Sequence, residues 1–375
     1  MPCNTVPDFT DSMKNDNKHT ELNNRIVHGG DIYRNKVELD YSVNLNPEPA
    51  PEEIMTAALR GLELMHNYPD PLQEELRTAI ADMAGCGASD VVCGCGASEL
   101  MMAIVHAVRP RSALITAPCY AGYEYALRAC NAAITEYSLN TEDGFMLNKD
   151  FADLITEETD IVFVANPNNP NGRLIEKDVL EAVREKCRQT GTVLVIDECF
   201  LQLTDRYEER ADVTDGAVHL NAFTKSFAIP GIRLGYLICG DHDLTENIRK
   251  HLPEWNLSSI AEQIGIAAAK VIRDTGYIAK SVQTVKTERA YLEDSLTALG
   301  IRVYPSDTNY LLLEAETSLA DQLMKRGIMV RRCSNYHGLD SRNIRIAVRR
   351  HEDNERLISI LEEILDGSPE MENDL

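Results

Sequence analysis

From Ser112 onward, short apolar runs alternate with amphipathic stretches. SALITA, IVFVA, TVLVID and LGYLIC read as buried strands, because they are compact, rich in β-branched residues and apolar on both faces. Between two of them, EKDVLEAVREKCRQ places its apolar residues at helical spacing. This alternation predicts an α/β fold whose mixed, mostly parallel sheet is wrapped by helices. A helical stretch free of Gly and Pro spans Tyr277 to Ala298 and leads into a smaller α+β C-terminal domain. There VYPSDTNYLLLEA, GIMVRRC and NIRIAV predict strands, and HEDNERLISILEEIL predicts the closing helix. The expected division is an N-terminal arm at 1–25, a connecting segment at 26–50 and a large domain at 51–275. A small domain at 276–366 and an acidic tail at 367–375 complete it.

Composition narrows the class of protein. The chain has 375 residues, 44% of them hydrophobic, enough for a large core. No apolar run approaches the roughly 20 residues that a membrane-spanning helix needs. MPCNTVPDFTDSMKNDNKHT lacks the build of a signal peptide, so a cytoplasmic location is expected. A net charge of -23 argues against nucleic acid as a partner, because phosphate contacts need clustered Lys and Arg. The ten cysteines are expected to be free thiols. Cys93 and Cys95 form a CxC pair without a second ligand pair, and no metal site is expected.

Candidate chemistry falls just after the apolar runs, where open α/β sheets bind ligands. TVLVIDECF ends in Asp197, either a helix-capping residue or a carboxylate set in an apolar wall. IVFVANPNNPNG ends in a turn that offers the Asn169 amide. VVCGCGASELMMAIVHAV is a small-residue turn opening a helix, a place where backbone N–H groups meet anions. NAFTKSFAIPGIRLGY sets Lys225 among apolar residues, with Arg233 close behind. Burial and a second cation both lower a lysine's pKa, which suits an amine nucleophile.

The order of these elements resembles that of the aminotransferase-like, fold-type I pyridoxal-phosphate enzymes, over about residues 28 to 349. That resemblance implies pyridoxal 5'-phosphate as cofactor, with Lys225 as the residue that binds it covalently. It implies that Asp197 pairs with the ring nitrogen and that Asn169 meets the ring hydroxyl. Tyr120 would stack on the ring; Ala97, Ser98, Thr224 and Arg233 would hold the phosphate. Tyr68 would reach the cofactor phosphate of a second subunit, making a homodimer the expected unit.

Finer features, among them HGGDIYRN, AIPG, DECF and VRRCSNYHGLDSRNIRIAVR, are similar to the L-threonine-O-3-phosphate decarboxylases. This group is related to the histidinol-phosphate aminotransferases, which usually carry tyrosine where Phe200 stands. By this resemblance Arg345 would meet the substrate α-carboxylate, with Asn44 or Asn169 nearby. Arg331 and His28 would meet a substrate phosphate, and Arg332 would add charge beside it. Asn221 and Ala222 depart from the family pattern and remove a hydroxyl, a loss that Thr224 or Ser226 could offset. The expected reaction is decarboxylation of phosphothreonine or phosphoserine to a phosphorylated amino alcohol. The alternatives are transamination with 2-oxoglutarate and a non-catalytic homologue.

Overall fold

The structure, a computed structural model, describes residues 29–207, 213 and 215–367. The expected arm at 1–25, His28 and the acidic tail from 368 lie outside the described residues. In chain order the strands are β1 (Leu39–Asp40), β2 (Val91–Gly94), β3 (Ser112–Ala117), β4 (Ala133–Ser138), β5 (Ile161–Ala165), β6 (Val193–Asp197) and β7 (Val218–Ala222). They continue with β8 (Gly235–Ile238), β9 (Arg302–Val303), β10 (Tyr310–Glu314), β11 (Ile328–Met329), β12 (Arg331–Arg332) and β13 (Asn343–Ala347). The large sheet has the order β2-β8-β7-β6-β5-β3-β4. It is parallel from β7 through β4, while β8 is antiparallel to both its neighbours.

The sheet's two faces are covered as the apolar runs require. Val162 and Val164 of β5 pack in one cluster with Val179, Val183 and Cys187 of the helix Lys177–Thr190. Ile161 and Phe163 point the other way, toward Leu100 and Ile104 of the helix Ala97–Val108. Each such fully buried side chain contributes roughly 1.5–3 kcal/mol relative to exposure. This is the α/β fold expected from the alternating pattern, and it fixes the strand ends that carry Asp197 and Ala222.

A second, four-stranded sheet has the order β12-β13-β10-β9 and is antiparallel throughout. The helices Tyr277–Ala298 and His351–Leu365 match the sequence expectation at both ends. Two strand expectations need correction. VYPSDTNYLLLEA is broken, because its middle leaves the sheet and Asp307 N–H donates to Gly172 O instead (2.9 Å). Proline and aspartate suit that loop better than a ladder. GIMVRRC is also two pieces: β11 pairs in parallel with β1, and β12 pairs with β13.

Candidate active site

The carboxyl ends of β3, β5, β6 and β7 open on a cavity of about 210 Å³ that the small sheet closes from the other side. Tyr120 follows β3, Asn169 follows β5, Asp197 ends β6, and Thr224 and Lys225 follow β7. Arg331 and Arg345 enter from β12 and β13. Asn44, Ala97, Ser98 and Arg233 complete the sequence-predicted residues that line it.

Lys225 sits at the end of a short helix, with its Nζ 5.7 Å from the centre of the Phe200 ring. Burial first, and then the positive charge of Arg345 and Arg233, pull its pKa down to about 8. A neutral amine is therefore accessible near physiological pH, as a nucleophile requires.

Asp197 is buried, and burial pushes its carboxyl above the usual range. Two donors oppose that: Tyr123 OH donates to Oδ2 at 2.7 Å and the Cys199 N–H to Oδ1 at 3.0 Å. Neither Tyr123 nor Cys199 was anticipated from the sequence. The available signal was the second tyrosine of CYAGYEY, one helical turn beyond Tyr120.

The helix Ala97–Val108 begins at Gly96 with φ +79°, and among the described residues no side chain caps its first turn. A Cβ on Gly96 would stand 2.3 Å from Arg233 Nη2, so only glycine lets that guanidinium lie against the helix start. Backbone N–H groups, the helix dipole and a guanidinium thus converge as an anion cradle. Gly122 serves similarly, since a Cβ there would lie 2.2 Å from Tyr120 Cε1 and displace that ring.

Opposite the cradle, Arg345 Nη1 donates to Asn169 Oδ1 (2.5 Å) and Nη2 to Ser42 O (2.9 Å). Among the described residues, Arg345 Nε and Asn44 Oδ1 are buried without a hydrogen-bond partner. Arg331 stacks over the Tyr336 ring at 5.1 Å, and its Nη2 donates to Asn335 Oδ1 (2.8 Å). Tyr336 OH also reaches Asn169 Oδ1 at 3.4 Å.

Other residues singled out in the sequence lie elsewhere. Arg332 is exposed and paired with Asp321, so it adds no charge to the cavity. Its alternation against Arg331 on one strand sends it outward. Ser226 is buried with its hydroxyl on Gln202 Oε1 (2.5 Å), so of the two hydroxyls considered, only Thr224 lines the cavity. Tyr68 is 80% exposed, packs on Trp255 (4.8 Å between ring centres) and does not line this cavity.

An uncapped helix start beside an arginine, a lysine of lowered pKa, and a donor-clamped buried carboxylate in one cavity suit pyridoxal phosphate. These groups match its phosphate, aldehyde and ring nitrogen in turn. Fold and site together define a fold-type I pyridoxal-phosphate enzyme. The chain belongs to the aminotransferase class I and II family, whose model matches residues 35–361. It is 32% identical over 336 residues to the threonine-phosphate decarboxylase of Salmonella typhimurium, covering 88% of this chain and 92% of that protein. It is also 32% identical to a histidinol-phosphate aminotransferase of Methanothermobacter thermautotrophicus, with 86% of each chain covered. The crystal structure of the histidinol-phosphate aminotransferase from Clostridium acetobutylicum superposes with a TM-score of 0.78 at 28% identity. That match covers 88% of this chain and 99% of the other.

Proposed function

We propose that the protein decarboxylates an O-phosphorylated hydroxy amino acid, phosphothreonine or phosphoserine, to a phosphorylated amino alcohol. The observation that carries this reading is a cross-strand pair: Arg331 and Arg345 are register partners on β12 and β13 and both are buried at 6% exposure. Like charges directly opposite on a sheet repel. A buried pair of this kind makes sense when each guanidinium receives its own anion. Arg233 already faces the cofactor cradle, so two further anionic groups are called for on the substrate. An α-carboxylate on Arg345 and a phosphate on Arg331 supply them.

In this reading Ala97, Ser98, Thr224 and Arg233 hold the cofactor phosphate, and Lys225 is the point of covalent attachment. Tyr120 lies against the ring, Asn169 offers its amide nitrogen to the ring hydroxyl, and Asp197 keeps a proton on the ring nitrogen. When bound, pyridoxal phosphate supplies an electron-withdrawing ring that accepts negative charge from the substrate α-carbon. Arg345 and Arg331 grip the two ends of the substrate and thereby choose which α-carbon bond lies perpendicular to that ring. Gripped one way, the carboxylate leaves as carbon dioxide and the Lys225 ammonium is placed to return a proton to the α-carbon. Gripped the other way, the α-proton faces the Lys225 amine, the arrangement that transamination needs.

Phe200 supports the first outcome over the second, because it offers the ring oxygen no donor where histidinol-phosphate aminotransferases usually carry a tyrosine. A homodimer fits the exposed large apolar side chains Met55 and Leu59 on the helix Glu52–Glu63 and Met65 and Tyr68 just after it. The deciding experiment incubates the holoenzyme with phosphothreonine and phosphoserine, with and without 2-oxoglutarate. Carbon dioxide and product mass are followed. Gas release independent of 2-oxoglutarate is expected; amino transfer without gas would replace this reading by the aminotransferase one.

A further inference from the structure

We propose that Tyr123 is a positioning residue that holds Asp197 as a carboxylate, ready to receive the protonated ring nitrogen of the cofactor. The proposal rests on Asp197 being the partner of that nitrogen, but is independent of which substrate the enzyme takes.

Tyr123 is 1% exposed and its ring is stacked on Phe163, with centres 5.2 Å apart at 17°. Tyr120 meets it edge-on at 5.7 Å. Packed on these sides, the phenol has one polar direction left, and it points at Asp197 Oδ2. The helix Gly122–Ala129 that carries Tyr123 follows directly from the Tyr120 loop, so one short segment supplies both the wall of the cavity and the clamp.

The groups that act on Asp197 explain why a clamp is needed. Burial raises its pKa most, and the neighbouring Glu198 raises it further. Tyr123 and Cys199 act against that. Lys225, Tyr120 and Tyr310 are the other titratable groups close enough to interact with it. In the free protein the Lys225 ammonium, present below about pH 8, adds to the phenol, the thiol and one backbone N–H as the neighbours that favour the charged form. An acceptor stripped of one charged hydrogen bond in a buried site costs more than an average bond. Without the phenol, Asp197 takes up a proton in the free protein. Binding then places on the ring nitrogen a proton the site already holds, so the variant takes up one proton fewer than the wild type.

Linkage turns this into a measurable signature. The ratio of the Tyr123→Phe Kd to the wild-type Kd for pyridoxal phosphate should be largest at low pH and shrink as pH rises. At pH 6 a ratio of roughly tenfold or more is expected. The assay is titration of the apoprotein with the cofactor, followed by fluorescence across pH 6 to 9. Tyr123→His, which keeps an N–H donor on a ring, is expected to recover part of the affinity, and it is the second variant should Tyr123→Phe fail to fold. Phe163→Leu, which removes the stacking partner and leaves the phenol, should lower the unfolding temperature without a pH-dependent ratio. A pH-independent ratio for Tyr123→Phe, or the same profile from Phe163→Leu, would overturn the proposal. Asp197→Asn separates the two layers: if it binds cofactor as the wild type does, the assignment of Asp197 itself fails.

Discussion

Replacing Lys225 by methionine in the apoprotein should stabilise it at neutral pH. The amine stands among Arg345, Arg233 and the Phe200 ring, and its pKa falls from 10.5 to about 8. A folded-state pKa below the unfolded value means that the folded chain resists carrying this proton. Below about pH 8 the full penalty is present, about 3 kcal/mol for a drop of this size. Between about 8 and 10.5 the unfolded chain binds the extra proton, so wild-type stability rises with pH through that window relative to the variant. Methionine keeps the length and the apolar stem and removes the charge. The assay is urea unfolding of both apoproteins from pH 6.5 to 10.5, compared as a difference so that other titrations cancel. The variant should be more stable by about 3 kcal/mol at pH 7, with the gap closing toward pH 10.5. A difference near zero at pH 7, or one that is flat with pH, would refute the view that this lysine is held against its charge.

Two further outcomes follow from the same geometry. Arg331→Gln should raise the KM for a phosphorylated substrate roughly a hundredfold and lower kcat as well, because the charge-assisted contact that is lost both binds the substrate and aligns its α-carbon bond; steady-state kinetics on phosphothreonine check this. His219→Gln probes the opposite titration: burial pushes the ring's pKa down, but Glu198 (3.0 Å) and Asp215 (3.1 Å) outweigh it and hold it at about 9. A raised pKa gives stability that is complete below about pH 6.5 and lost as pH rises through about 9. The wild-type advantage over the variant, about 3 kcal/mol at pH 6 by urea unfolding, should therefore fade above neutrality.

The parts of the molecule that could be read from sequence are those where one physical signal acts alone. β3, β5 and β6 are apolar on both faces and announce themselves, and Asp197 stands out as the first charge at the end of such a run. β7 escaped notice because VHLNA alternates, and its polar positions look like a half-exposed strand. Its His219 and Asn221 are buried with Glu198 of the neighbouring turn pairing with both, at 3.0 and 3.2 Å, and Asp215 with His219 as well. β4 escaped for the opposite reason, as an exposed edge strand with little apolar content. Tyr123 and Tyr336 could be seen as aromatics but not as site residues, since their partners lie on other segments, 74 and 167 residues away. Arg332 points away from the cavity, against the sequence expectation, because two adjacent arginines are equivalent until the register of β12 sends one inward and one outward.

That register also reconciles a chain of net charge -23 with a ligand made of anions. Lys225, Arg233, Arg331 and Arg345 face Asp197 across a single cavity, so the local balance is strongly positive. At physiological ionic strength the acidic outer surface is screened beyond about 8 Å, whereas charges inside a low-dielectric cavity are screened much less. The surplus is divided by position, not pooled. Arg233 is tied to the helix start on the large sheet, while Arg331 and Arg345 share adjacent strands of the small one. Two anions on one small molecule can therefore satisfy the strand pair together, and a molecule with one anion leaves a buried guanidinium unpaired. On the proposed reading, selectivity comes from the cost of that unpaired charge, which each incomplete substrate would have to bear.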